Sequence, residues 1–131
     1  MTTFLSLLLL TVFGPADSPA PLIASYNGLS GQWQVDLRPA PDAAPYYKVL
    51  EIKASKSGQF SGRFYGSKFK KGIVNDAWPQ LHFAFRTRDK NNTYFHTGYL
   101  DGETLRGQTY CPERSFTAPW TATRLTETTK K

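Results

Sequence analysis

Residues 93–111 read Thr-Tyr-Phe-His-Thr-Gly-Tyr-Leu-Asp-Gly-Glu-Thr-Leu-Arg-Gly-Gln-Thr-Tyr-Cys. Tyr94, His96, Gly98 and Leu100 occupy alternate positions, against Phe95, Thr97 and Tyr99. After a break, Leu105, Gly107, Thr109 and Cys111 alternate in the same way with Arg106, Gln108 and Tyr110. A period of two is the mark of a strand with one buried face. Asp101-Gly102 at the break is a strong hairpin signal, because a two-residue type I′ turn needs positive φ. If Leu100 and Leu105 point inward, then Tyr94, His96 and Thr109 do too.

Working outward, the same pattern repeats at intervals of about ten residues, as in a sandwich or barrel. Strands are expected near 30–38, 46–55, 59–66, 69–75, 80–88, 93–100, 104–111 and 116–125. Ser57-Gly58 gives a second tight hairpin, Asp89 to Asn92 a polar corner, and Pro112-Glu113-Arg114 a break before the last strand. Proline-rich residues 39–45 make the longest loop. No helical segment of normal length separates the strands, so parallel βαβ links are not expected. Tight links between successive strands give an all-β meander, and eight such strands can close on themselves and remove both edges. The expected fold is an eight-stranded antiparallel up-and-down β-barrel over residues 28–125. A barrel of this size has an interior just wide enough for side chains or one small ligand.

Parity assigns the inner face. Trp33, Val35 and Leu37 share one side of the first strand, Leu50, Ile52 and Ala54 of the second, and Phe60, Gly62 and Phe64 of the third. Leu81, Phe83 and Phe85 follow on the fifth, and Trp120, Ala122 and Arg124 on the last. Glycines 62, 98 and 107 fall where a small barrel bends sharply or leaves interior space.

The 131 residues are room for one domain. Nine Phe, seven Tyr and three Trp against one Met suit a pleated, half-buried surface. Residues Phe4 to Phe13 form an apolar block too short to span a bilayer but matching the core of a secretory signal, with small residues following at Gly14, Ala16, Ser18, Ala20 and Ala24. Residues 1–24 are therefore expected to be a signal peptide or disordered leader, which implies a secreted or periplasmic protein and no stable membrane insertion once the leader is cut. Residues 126–131 are polar and expected to be a flexible tail. The formal charge of +6 comes from scattered basic residues, clustered only at Lys68, Lys70 and Lys71 and at the terminal pair. No RNA-binding aromatic motif, zinc spacing or helix-turn-helix pattern accompanies it, so no nucleic acid partner is expected. The single cysteine, Cys111, precludes an intramolecular disulfide and any multi-cysteine metal site.

Gly31-Gln32-Trp33 opens the first strand, and Trp120-Thr121-Ala122-Thr123-Arg124 closes the last. In a closed barrel these strands are neighbours, and a guanidinium can lie over the indole face. This pairing resembles the lipocalin and avidin-like (calycin-type) barrels, which start with a Gly-x-Trp strand, the lipocalins also carrying an Arg near the end of the last strand. The resemblance implies that Trp33 and Arg124 close the barrel and do not touch ligand. The chain shows neither the helix that lipocalins place before the final strand nor their disulfides, and the polar set of avidins has no counterpart here, so biotin is not the implied ligand.

Three functions are open. In the first, the barrel binds a small apolar or aromatic ligand in a pocket lined by Phe64, Phe83, Phe85, Tyr94, His96, Thr109 and Trp120; the competing reading is that these side chains simply fill it. In the second, it is a protein–protein or surface module with a filled barrel, using Phe69 among Lys68, Lys70 and Lys71. In the third, an enzyme, His96 pairs with Cys111 on the adjacent strand, with Asp89 or Glu113 in acid–base roles. No nucleophile elbow, phosphate loop or metal-spaced histidine supports catalysis, and no cofactor is expected. Arg114, beside Phe116, is expected to brace the loop.

Overall fold

The computed structural model describes Gly14, residues 28–55 and residues 58–126. The expected leader, apart from Gly14, the tail beyond Thr126, and Ser57 of the second hairpin lie outside the described residues. Eight strands run β1 (Gly31–Asp36), β2 (Tyr47–Ala54), β3 (Gln59–Phe64), β4 (Ser67–Asn75), β5 (His82–Arg88), β6 (Thr93–Asp101), β7 (Thr104–Cys111) and β8 (Phe116–Arg124). Each pairs antiparallel with the next, and β8 returns to β1, so the sheet closes as an up-and-down barrel. The fold is the one expected, with strand limits displaced by at most two residues. Among the described residues there is no α-helix, only a 3₁₀ turn at Pro112–Arg114.

The seam forms where Trp33 pairs with Arg124 in the β1–β8 ladder. The Arg124 guanidinium lies 4.2 Å from the Trp33 ring centroid. It donates to the carbonyl of Ser30 at 2.7 Å and to that of Gly28, while the Trp33 indole N–H donates to the carbonyl of Leu29 at 2.9 Å. The glycine of the Gly-x-Trp motif now has a reason. Gly31 sits at φ +128°, and a Cβ there would stand 2.9 Å from Arg124 Nη1. Only glycine lets the backbone turn in while the guanidinium passes over it.

This end of the barrel is solid. Trp33, Val35, Leu50 and Leu105 are completely buried. Beside them Phe60 meets Phe69, Phe83 and Phe85 edge-on, and Phe69 stacks on Phe85 with centroids 4.4 Å apart. The space opened by glycine is taken by rings. Gly98 and Gly107 face each other across β6 and β7; a Cβ on Gly107 would lie 2.2 Å from Trp120 Cζ2, and one on Gly98 2.7 Å from Phe83 Cζ.

Two local features depart from the sequence reading. The β6–β7 turn centres on Gly102 and Glu103, because Asp101 pairs with Thr104. Of the two central residues only Gly102 has positive φ, +59°, so the turn is not type I′. In β4 the ladder slips between Phe60 and Gly62 of β3. Phe69 and Gly72 both point inward, leaving Lys70 and Lys71 consecutive and exposed, with Lys71 at φ +60°. A bulge of this kind bends the strand and resets which face it buries. Beyond it β4 pairs with β5 over only Ile73–Asn75, and nearer the other end of the barrel the Ser67 hydroxyl spans to the carbonyl of Arg88 at 3.2 Å.

Candidate functional site

In a meander, alternate links lie at the same end. The end opposite the Trp33–Arg124 seam is bounded by residues 37–46, 65–66, 89–92 and 112–115. There the packing stops, and a cavity of about 240 Å³ opens into the barrel. Its deep wall is Phe64, His96, Thr109 and Trp120; Tyr94, Tyr46, Tyr65, Leu37, Phe116 and Arg114 line it toward the rim.

The parity of β5, β6 and β7 brings three inward polar side chains together. His96 sits between Phe85 of β5 and Thr109 of β7 in the ladders. One ring nitrogen, Nε2, is 2.9 Å from the Thr87 hydroxyl, and Nδ1 is 2.8 Å from that of Thr109. The indole N–H of Trp120 donates to the same Thr109 oxygen at 3.0 Å. The imidazole stacks on Phe85 at 4.6 Å and meets Phe64 edge-on at 5.1 Å. Burial among these rings pushes its pKa down to about 4, so it is neutral at pH 7. Proton counting then constrains the group. One indole hydrogen, one imidazole hydrogen and two hydroxyl hydrogens serve three contacts among these four side chains. One hydroxyl hydrogen, on Thr87 or Thr109 according to the tautomer, is left over for an acceptor in the cavity.

At the rim, the Tyr46 and Tyr65 hydroxyls are 2.8 Å apart, and Lys48 Nζ lies 5.2 Å and 5.0 Å from their ring centroids. The shared hydrogen bond holds the Tyr46 phenol below its usual pKa and Tyr65 above it. Arg114 Nη1 donates to the Tyr94 hydroxyl at 3.1 Å, and its guanidinium lies 6.0 Å from the Tyr94 centroid and 5.1 Å from that of Phe116. The bracing expected of Arg114 is present, but the residue also lines the cavity.

Of the seven side chains expected in a pocket, Phe64, Tyr94, His96, Thr109 and Trp120 line this one. Phe83 and Phe85 do not: they point inward as expected but lie in the packed ring cluster. Thr87, Tyr46, Tyr65 and Phe116 were not anticipated, although Thr87 continues the Phe83–Phe85 parity. The Cys–His pair does not form, since threonines hold both imidazole nitrogens and the buried Cys111 thiol points to Glu113 Oε2 at 3.6 Å. Asp89 spends Oδ1 on the N–H groups of Asn91 and Asn92, at 2.9 and 2.7 Å, and those backbone donors hold its pKa below the usual carboxylate range. Phe69, expected on a basic surface patch, is buried. Among the described residues no three His, Cys, Asp or Glu side chains gather as a metal site. Comparison with family models, curated proteins and solved structures finds no match, so the chemistry of the cavity carries the functional reading.

Proposed function

We propose that the chain is an exported, lipocalin-like binding protein that holds one small apolar or aromatic molecule at the open end of its barrel. The observation that carries this reading is the cavity of about 240 Å³, bounded by aromatic rings, at one end of an otherwise packed interior. A filled barrel would have no such space. Apolar walls with a few convergent polar atoms are the usual make-up of a small-molecule site. A cavity of about 150 Å³ lined by apolar side chains holds benzene, so this one suits a ligand of roughly ten heavy atoms. The Trp33–Arg124 seam supports the lipocalin-like plan, and the apolar block at Phe4–Phe13 supports export.

The test is an aromatic-fragment titration followed by ¹⁵N NMR, on wild type and on Ala118→Trp, which fills the cavity from its β8 wall. Fragments should shift the amides of Thr87, His96 and Thr109 in the wild type, and the substitution should abolish those shifts. Fragments that leave these amides unmoved at millimolar concentration, or shift them equally in Ala118→Trp, overturn the reading.

A further inference from the structure

The charges at the mouth do not cancel. Asp36 accepts from both Nε and Nη2 of Arg38. Asp89 lines the cavity, with its Oδ1 accepting the N–H groups of Asn91 and Asn92 in its own turn, and Glu113 accepts the N–H of Thr93 at 3.1 Å and the thiol of Cys111. Asp36 and Glu113 are thus committed to a neighbouring loop or strand end. The Arg114 pKa is raised most by the hydrogen bond to Tyr94 and least by Asp89, the one acid lining the cavity. Among the described residues the two ion pairs are Arg38–Asp36 and Arg106–Asp101, and neither includes Arg114. Arg114 nevertheless lines the cavity, its plane held by Tyr94 and Phe116. Its one hydrogen bond uses one of five N–H donors. Lys48, over Tyr46 and Tyr65, is a second cation at the rim without an ion pair.

The deep wall is the opposite. It offers rings and one spare hydroxyl hydrogen, and His96 there is neutral. An anionic group pushed that far would lose its hydration for a single neutral donor, which is unfavourable. A molecule with an apolar body and one anionic end therefore has a single good orientation.

We infer that the ligand is a small aromatic or short-chain monocarboxylate, its body against Phe64, His96 and Trp120 and its carboxylate on the guanidinium of Arg114 at the rim. A guanidinium matches a carboxylate with two parallel N–H···O bonds, and one always-charged side chain balances one negative charge. This inference rests on the binding-barrel reading and narrows it to a chemical class.

The probes are 3-phenylpropionate and its neutral isostere 3-phenylpropanamide, each titrated at pH 7 and low salt into wild type and Arg114→Gln. The acid should bind the wild type roughly ten- to hundredfold tighter than the amide, as a pair of charge-assisted hydrogen bonds implies. Arg114→Gln should cost the acid at least roughly tenfold and the amide much less, with backbone amide-resonance dispersion and urea midpoint matching the wild type as the check that the variant is folded. Added salt should weaken the acid alone. Equal affinity for acid and amide, or acid binding indifferent to Arg114→Gln, overturns the anion assignment while the amide's shifts at Thr109 keep the binding reading intact. Absence of shifts with both probes overturns the two together.

Discussion

Acidification acts on the buried imidazole before it acts on any carboxylate. His96 is 3% exposed and packed between Phe85 and Phe64, and burial takes its pKa from 6.5 to about 4. In the unfolded chain the same group titrates near 6.5. Between those values the unfolded state carries a proton that the native state refuses, so stability falls as the pH falls. The effect is absent above about pH 6.5 and complete below about pH 4. Across the whole window it amounts to roughly 3 kcal/mol, and from pH 6.5 to 5 to roughly 2 kcal/mol, at about 1.4 kcal/mol for each tenfold change in proton affinity. A domain of this size is stable by about 5–15 kcal/mol, so the loss is visible in a urea midpoint. Asp36, Asp89 and Glu113 are also held below their ordinary values of 3.8, 3.8 and 4.5, and what they contribute is likewise lost on acidification, but below about pH 5. The assay is urea unfolding followed by tryptophan fluorescence at several pH values from about 7.5 to 5, on wild type and on His96→Phe. Phenylalanine keeps the stacking on Phe85 and cannot titrate. Its baseline stability should be lower, because the Thr87 and Thr109 hydroxyls lose their partner, but its stability should be flat where the wild type slopes. His82 is present in both proteins and cancels. An equal slope in the two would refute the reasoning, since the proton taken up on unfolding would then belong to another group.

Substitutions at two further positions probe the packed end and the seam. Gly107→Ala puts a Cβ 2.2 Å from Trp120 Cζ2 and drives the indole off Thr109; overpacking of this kind costs about 1–3 kcal/mol, read as a Tm lowered by roughly 5–20 °C together with shifted tryptophan emission. Arg124→Leu removes the cation over Trp33 and two donors to the carbonyls of Gly28 and Ser30, an expected loss of about 2–4 kcal/mol by urea unfolding, and Arg124→Lys should recover less than half of it because an ammonium has no planar fork to serve both carbonyls while lying on the ring.

What the sequence made legible follows from the range over which each signal acts. Period-two alternation and turn chemistry are local, and they placed all eight strands; β7 has the expected limits and His96 faces Thr109 as parity requires. The Trp33–Arg124 contact joins residues far apart in the chain, yet it was accessible because closure of a meander leaves the first and last strands no other neighbours. The bulge at Lys70–Lys71 was not, since it turns on a residue other than glycine or asparagine at positive φ. Tyr65 and Ser115 at the mouth share that conformation, and period two does not direct side chains in such turns. The shared end of the four mouth loops did follow from the meander alone, and it would have gathered Tyr46, Tyr65 and Arg114 around one opening. Depth is harder. Parity states that Phe83, Phe85, Tyr94 and His96 point inward but not how far along the axis each one sits, because strand tilt and stagger are set jointly by all eight pairings. That is why the same inward face sends Phe83 and Phe85 into the ring cluster and Tyr94 to the rim. The split decides whether the barrel holds a cavity, since a tilt that raised Phe85 by one residue pair would put its ring where that space now is.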